Sequence, residues 1–140
     1  MATVEVAFTP LPAHVRTARL VATAVARRSG VDETLLDEVR LAVGEACLRA
    51  VEAHRRHCPA EPVRIEMSNI GERFEVSVKD AVPAAPASVT SVNGSLDTSA
   101  IPAGFGLAVI SGLADDVLIS ASGSGVTVRM TWPVTVKADA

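Results

Sequence analysis

The stretch from Asp32 to about Arg56 constrains the fold most, because its apolar side chains recur at the spacing of one long helix. Asp32 is suited to cap the start of this helix, and Pro59 and Pro62 end it. The apolar stripe consists of Leu35, Val39, Ala42, Ala46, Ala50 and Ala53, widened by Leu36 and Val43. The polar side carries Glu38, Glu45, Arg49, Glu52 and Arg56. The rest of the domain must be built around this helix.

The segments on either side of the long helix show both strand and helix patterns. A period of two predicts strands, and a period near 3.6 predicts helices, the first of which Gly30 ends. The predicted strands are Thr3–Phe8, Val63–Ser68, Arg73–Asp80, Val117–Ser120 and Val126–Trp132, and the further helices are His14–Arg28 and Gly104–Ala114. This order predicts one α+β domain over residues 1–140, a two-layer sandwich of a mixed, largely antiparallel sheet with helices on one face. Ala81 to Ala103 shows no period, which predicts a long functional or mobile loop without secondary structure.

Composition and charge narrow the class of protein. The net charge is −3 and the arginines are scattered, which argues against a direct nucleic-acid surface. Cys47 and Cys58 lie too far apart along the helix for a disulfide, and His54 and His57 are expected to be solvated. The chain has no metal-ligand spacing, no signal-peptide pattern and no apolar run of about 20 residues. These features predict a cytoplasmic protein without a metal site or membrane contact.

Three groups of residues are candidates for chemistry. Gly104 and Gly106 precede a predicted helix, where backbone N–H groups can bind an anion, although a simple hinge would also explain them. Glu45 and Arg49 lie one helical turn apart, either as a surface ion pair or as part of a site. Asp80 ends a strand, where a carboxylate can be an adenine acceptor, a ligand or a turn residue. Alone, none of the three decides the function.

Taken together, three segments resemble the bacterial anti-sigma factor serine kinases, a branch of the histidine-kinase-like (GHKL) ATPases. Leu41 to Glu52 (LAVGEACLRAVE) resembles the N-box helix of that family. Val76 to Asp80 (VSVKD) is similar to the strand before its first glycine box, and Gly104 to Ile110 (GFGLAVI) is similar to its second. The resemblance covers roughly Val4 to Trp132 and implies a Bergerat-type ATPase fold with the ATP lid in the long loop.

The resemblance also implies roles for single residues. Glu45 has the position of the catalytic base, Asp80 that of the adenine acceptor, and Gly104 and Gly106 those of the lid glycines. Arg49, however, stands where the family has an Asn that holds Mg²⁺.

Two further departures concern neighbouring positions. Ala53 replaces a His, with His54 one position out of register, and Ala81-Val82 follows Asp80 without the family's glycine. A guanidinium has no acceptor atom, so Arg49 either supplies a cation in place of the ion or neutralises Glu45. We therefore expect little or no kinase activity, ATP as the only candidate cofactor, and no Mg²⁺.

The first predicted helix carries the candidate residues for partner recognition. Thr17-Ala18-Arg19 resembles the family segment whose arginine contacts both a sigma factor and its STAS-domain anti-anti-sigma antagonist, and Arg16 lies one turn earlier. Solvated helix charges are the alternative explanation. The resemblance implies an anti-sigma-like regulator that binds a STAS-domain anti-anti-sigma factor, a sigma factor or both, and it allows a homodimer. Two other functions stay open: an active protein-serine kinase that phosphorylates an anti-anti-sigma factor, and a small-ligand sensor.

Overall fold

The computed structural model describes residues 3–92, 95–96, 110 and 112–134. Its helices are α1 (Pro12–Ser29) and α2 (Leu36–His57), and a 3₁₀ turn (Glu33–Leu35) leads into α2. Its strands are β1 (Thr3–Phe8), β2 (Val63–Ile70), β3 (Arg73–Lys79), β4 (Ala87–Val92), β5 (Ser95–Leu96), β6 (Asp116–Ser122) and β7 (Gly125–Pro133).

The described strands form one sheet in the order β1-β2-β3-β7-β6-β4-β5, and each of their pairings is antiparallel. The two helices pack side by side on one face of this sheet, which confirms the predicted two-layer α+β architecture. Alternate residues of the central strands point into the core, among them Val76, Val128 and Met130. The strands therefore bury one face against the helices.

The helix boundaries follow the predicted signals. Gly30 adopts the left-handed conformation (φ 99°), which ends α1 through hydrogen bonds from its N–H to the Ala26 and Arg27 carbonyls. The Asp32 carboxylate accepts a hydrogen bond from the Thr34 N–H at 2.9 Å and so caps the turn before α2. No helix in the described ranges combines the length and the apolarity that crossing a bilayer requires.

The prediction of a loop without secondary structure over 81–103 is wrong for Ser95–Leu96, which forms β5, and for the longer segment Ala87–Val92. This segment forms β4, which pairs with β6 from Ala87↔Ala121 to Val92↔Asp116. Its sequence, ASVTSV, mixes small residues with β-branched ones without strict alternation, so no period of two is visible although the β-branched residues favour a strand. Pairing with β6 satisfies its backbone, which a sequence pattern does not reveal.

The outcomes for the C-terminal part of the chain differ by segment. The predicted last hairpin is confirmed, with β6 and β7 joined at Gly123 and Ser124. Of the predicted helix Gly104–Ala114, residues 110, 112 and 113 are helical. Gly104, Gly106 and the rest of 97–109 lie outside the described residues.

Candidate functional site

Helix α2 carries Glu45 and Arg49 one turn apart, both half-buried beside the sheet. The Arg49 guanidinium reaches across to the end of β3, where its Nη1 lies 2.5 Å from Oδ2 of Asp80. The prediction offered two places for this cation, the Mg²⁺ position or a pair with Glu45. The structure instead pairs Arg49 with Asp80, the residue that the resemblance assigns to the adenine-acceptor position. Within the described ranges, the Glu45 side chain makes no hydrogen bond or ion pair.

The Asp80 side chain is fully buried and held on both of its oxygens. Oδ2 receives Arg49, and Oδ1 accepts hydrogen bonds from the N–H of Val82 at 2.9 Å and from the N–H of Val126 at 3.1 Å. The backbone N–H of Asp80 also donates to the Val126 carbonyl at 2.9 Å. The bond to Val82 is the turn that an aspartate makes with the residue two positions on. Asp80 is therefore a junction between α2, the segment after β3 and the start of β7.

Gly125 makes room for this junction. Its φ is +136°, and a Cβ there would overlap the carbonyl oxygen of Asp80 and lie 2.9 Å from the carbonyl carbon. Both the backbone conformation and the close approach require glycine at this position.

His54 is also part of the junction, and the expectation that it is solvated is wrong. Its side chain is buried, with Nδ1 2.8 Å from the Glu61 carbonyl oxygen and Nε2 2.9 Å from the Ala81 N–H. Because the Ala81 N–H is a donor, Nε2 must be the acceptor, which leaves the proton of the neutral ring on Nδ1 to donate to Glu61. The backbone after β3 is thus fixed at two consecutive residues, Ala81 by His54 and Val82 by Asp80.

These contacts can be compared with what a nucleotide and its metal would need. An adenine acceptor must present a carboxylate oxygen that the ligand can reach, whereas the Asp80 side chain is fully buried and already accepts three hydrogen bonds from the protein. A metal ligand must offer an electron pair, and a guanidinium offers only N–H donors. In the described part of the chain, no group of three or more His, Cys, Asp and Glu side chains is placed to hold a metal ion. The described residues therefore do not fit Mg²⁺ at Arg49 or adenine at Asp80.

The predicted partner-binding residues lie on α1. Arg16 is exposed. Arg19 is half-buried, and its Nε packs against Gly44 of α2, next to Glu45 in sequence. The buried Cys47 is close enough to feel this cation, although burial is the larger effect and raises the pKa of the thiol to about 12. Arg19 is therefore partly a packing residue between the helices.

The sequence pattern missed three residues that build these contacts: Gly44, His54 and Gly125. A signal for His54 was present, since it lies eleven residues after Val43 and seven after Cys47, both of which are buried on α2. Continuing that spacing places His54 on the buried face. The two glycines carry no such signal, because their neighbours come from distant parts of the chain.

Comparison with known proteins identifies the class of domain. Residues 8–132 match the model of the histidine kinase-like ATPase domain, so the chain belongs to this family. No curated protein matches the chain.

One solved structure with the same fold is the crystal structure of the RsbU and RsbW domains of Rv1364c from Mycobacterium tuberculosis. It superposes with a TM-score of 0.71 at 17% sequence identity, over 98% of this chain and 33% of that chain. The present chain thus spans about a third of the length of that protein chain (33%), and the likeness is one of fold.

Proposed function

We propose that this chain is an anti-sigma-factor-like regulator that acts by binding proteins, with kinase activity lost or very weak. Its partners would be a STAS-domain anti-anti-sigma factor, a sigma factor or both, in the cytoplasm. Membership of the histidine kinase-like ATPase family and the fold shared with a structure that contains an RsbW domain support the class of regulator. The motif resemblance of Thr17-Ala18-Arg19 supports the choice of partners.

The single observation that carries the loss of catalysis is the ion pair between Arg49 and Asp80. In the family, the first position holds Mg²⁺ and the second binds adenine. Here the two positions bind each other, with the Asp80 side chain fully buried and that of Arg49 only 19% exposed. A nucleotide would have to break this pair before it could use Asp80, and separating a buried pair is strongly unfavourable.

The chemistry of phosphoryl transfer points the same way. The reaction depends on positioning and on neutralising phosphate charge, for which the metal bridges the phosphates. Arg49 cannot coordinate a metal, and its charge is directed to Asp80 rather than left for a phosphate. Glu45 would then keep the position of the catalytic base, but with no bound nucleotide it would have no reaction to catalyse.

Titration calorimetry with ATP and Mg²⁺ tests the proposed loss of nucleotide binding. We expect no binding by the wild-type chain at millimolar ATP, and a gain of binding by Arg49→Asn combined with Val82→Gly, which restores the family residues. Arg55→Asn is the matched control, because Arg55 is exposed on the same helix and has no ion pair within the described residues. Micromolar ATP binding by the wild-type chain, with transfer of phosphate to a STAS-domain protein, would establish the active kinase instead.

Co-purification tests the partners separately. We expect the tagged chain to retain a STAS-domain protein or a sigma factor encoded in the same genome, and light scattering of the purified chain to report whether it forms a homodimer. Failure to bind any member of either class, at micromolar concentrations of both proteins, would reject the regulatory function whatever the calorimetry shows.

A further inference from the structure

Arg19 lies across α2 at Gly44. A Cβ atom at Gly44 would overlap Nε of Arg19 and would lie 3.0 Å from its Cζ and 3.0 Å from its Nη2, and these are the three nearest atoms. Any side chain at position 44 would therefore displace the guanidinium. Glycine is the least favourable residue other than proline inside a helix, and Gly44 lies in the interior of α2. The absence of a side chain at Gly44 therefore has a packing role, because it leaves room for the Arg19 guanidinium. We call this contact between Arg19 and Gly44 the seat of Arg19.

The seated guanidinium lacks a full set of partners. Its Nε is buried and has no hydrogen-bond acceptor, and Arg19 forms no ion pair within the described residues. Arg27 and Arg40, which are more exposed, pair with Glu33 and Asp37. Nε itself is out of reach, but a charge that is partly buried without an ion-pair partner is unfavourable, so an anion that meets the other guanidinium nitrogens would stabilise it. Since Arg19 as a whole is half-buried, its remaining exposed area belongs to atoms other than Nε.

The surroundings of Arg19 indicate which anion fits. Helix α1 contains four Arg residues and no Asp or Glu, although the net charge of the chain is −3. Arg16, one turn before Arg19, is exposed and also has no ion pair in the described part of the chain. Two exposed apolar side chains lie close by along the two helices: Leu20, which follows Arg19, is 58% exposed, and Leu41, one turn before Gly44, is 49% exposed. A carboxylate flanked by apolar groups, as on an amphipathic protein segment, complements both features.

We propose that Gly44 is a positioning residue for partner recognition: it seats Arg19 in a fixed orientation that receives a carboxylate of the partner protein, with Leu20 and Leu41 as the apolar contacts beside it. This inference rests on the proposed function, because it assigns the binding surface of that regulator. A seated guanidinium loses less freedom on binding than a solvated one, so seating raises affinity without adding a contact.

Thermal denaturation of the chain alone tests the seat. In the wild-type background, Gly44→Ala lowers the midpoint or leaves it unchanged, because the new Cβ displaces Arg19. In the Arg19→Ala background the same substitution raises the midpoint, because the space is open and Ala is the better helix former. Equal midpoint shifts in both backgrounds would overturn the seat without reference to any partner.

Affinity for the partner tests the role in recognition. Calorimetry with the STAS-domain protein or sigma factor recovered by co-purification should show at least tenfold weaker binding for Arg19→Ala and for Gly44→Ala. The double variant should bind no more weakly than Arg19→Ala, since the glycine acts through the arginine. Gly123→Ala is the matched control, because a Cβ at Gly123 meets no atom within 4 Å, and it should bind as wild type.

The outcomes separate the inference from the function on which it rests. If Gly44→Ala or Arg19→Ala binds the partner with wild-type affinity, the carboxylate seat is wrong while the regulator stands and binds through another surface. If no STAS-domain protein or sigma factor binds the wild-type chain, both the proposed function and the role of Gly44 and Arg19 in partner recognition are rejected.

Discussion

Replacing Arg49 by Met should destabilise the protein far more than replacing any exposed arginine of α2. Methionine keeps much of the aliphatic length of the side chain but removes the cation. Asp80 would then remain fully buried, with its Oδ2 deprived of Arg49. Removing one partner of a buried ion pair leaves the other charge buried without compensation. This destabilises a protein more than replacing both partners by apolar residues.

The magnitude follows from the contacts that survive. Removing one partner of a buried pair destabilises by about 3–5 kcal/mol. Asp80 keeps the hydrogen bonds from the Val82 and Val126 N–H groups, and the Arg49 side chain is 19% exposed rather than wholly buried. We therefore expect about 2–3 kcal/mol, which for a chain of this size lowers the midpoint of thermal unfolding by roughly 10 °C.

Urea denaturation of four proteins measures the effect: wild type, Arg49→Met, Asp80→Asn and the double variant. The two substitutions should be coupled by at least about 1.5 kcal/mol, because each removes the same interaction. Arg55→Met is the control and should change the free energy of unfolding by less than about 0.5 kcal/mol. The buried pair would be refuted if the free energy of unfolding of Arg49→Met lay within about 0.5 kcal/mol of the wild-type value. It would also be refuted if the effects of Arg49→Met and Asp80→Asn were additive in the double variant.

Three further predictions concern the rest of the junction and the helix interface. His54→Phe should destabilise by about 2–3 kcal/mol and speed hydrogen exchange at the Ala81 N–H, because it removes both ring hydrogen bonds; His57→Phe, on the exposed end of the helix, is its control. Gly125→Ala should destabilise by roughly 2–4 kcal/mol in the same urea assay, since alanine meets both a positive φ and backbone atoms. Above pH 9 the unfolded Cys47 thiol ionises while the folded thiol stays protonated to about pH 12, so stability is lost as the pH rises. The free energy of unfolding should fall by about 1.4 kcal/mol more per pH unit in wild type than in Cys47→Ala.

Each of these has a result that would contradict it. Equal stabilities of the two histidine variants would mean that His54 is solvated after all. A Gly125→Ala protein as stable as wild type would remove the need for the close approach to Asp80. Parallel pH curves for wild type and Cys47→Ala, measured from pH 9 to about 10.5 under reducing conditions, would show that the folded thiol ionises normally.

The elements of this fold were largely predictable because their signals are local. Amphipathic spacing identified α1 and α2, Gly30 and Asp32 marked their boundaries, and alternation identified the hairpins. Strand β4 was missed because its small and β-branched residues do not alternate, and its place depends on an edge of β6 formed about 30 residues later. Whether that edge is available is a property of the assembled sheet.

The candidate site divides in the same way. The sequence alone singled out Glu45, Arg49 and Asp80, and chemistry alone predicted that Arg49 cannot hold a metal. It did not identify the partner of Arg49, because a guanidinium on a helix can reach several neighbours, and Asp80 is 31 residues away along the chain. The long α2 helix and the arginine at position 49 could thus be identified from the sequence alone. The burial of Asp80 against that arginine, and the gap at Gly44 that seats Arg19, exist only once α1, β3 and β7 have packed around the helix.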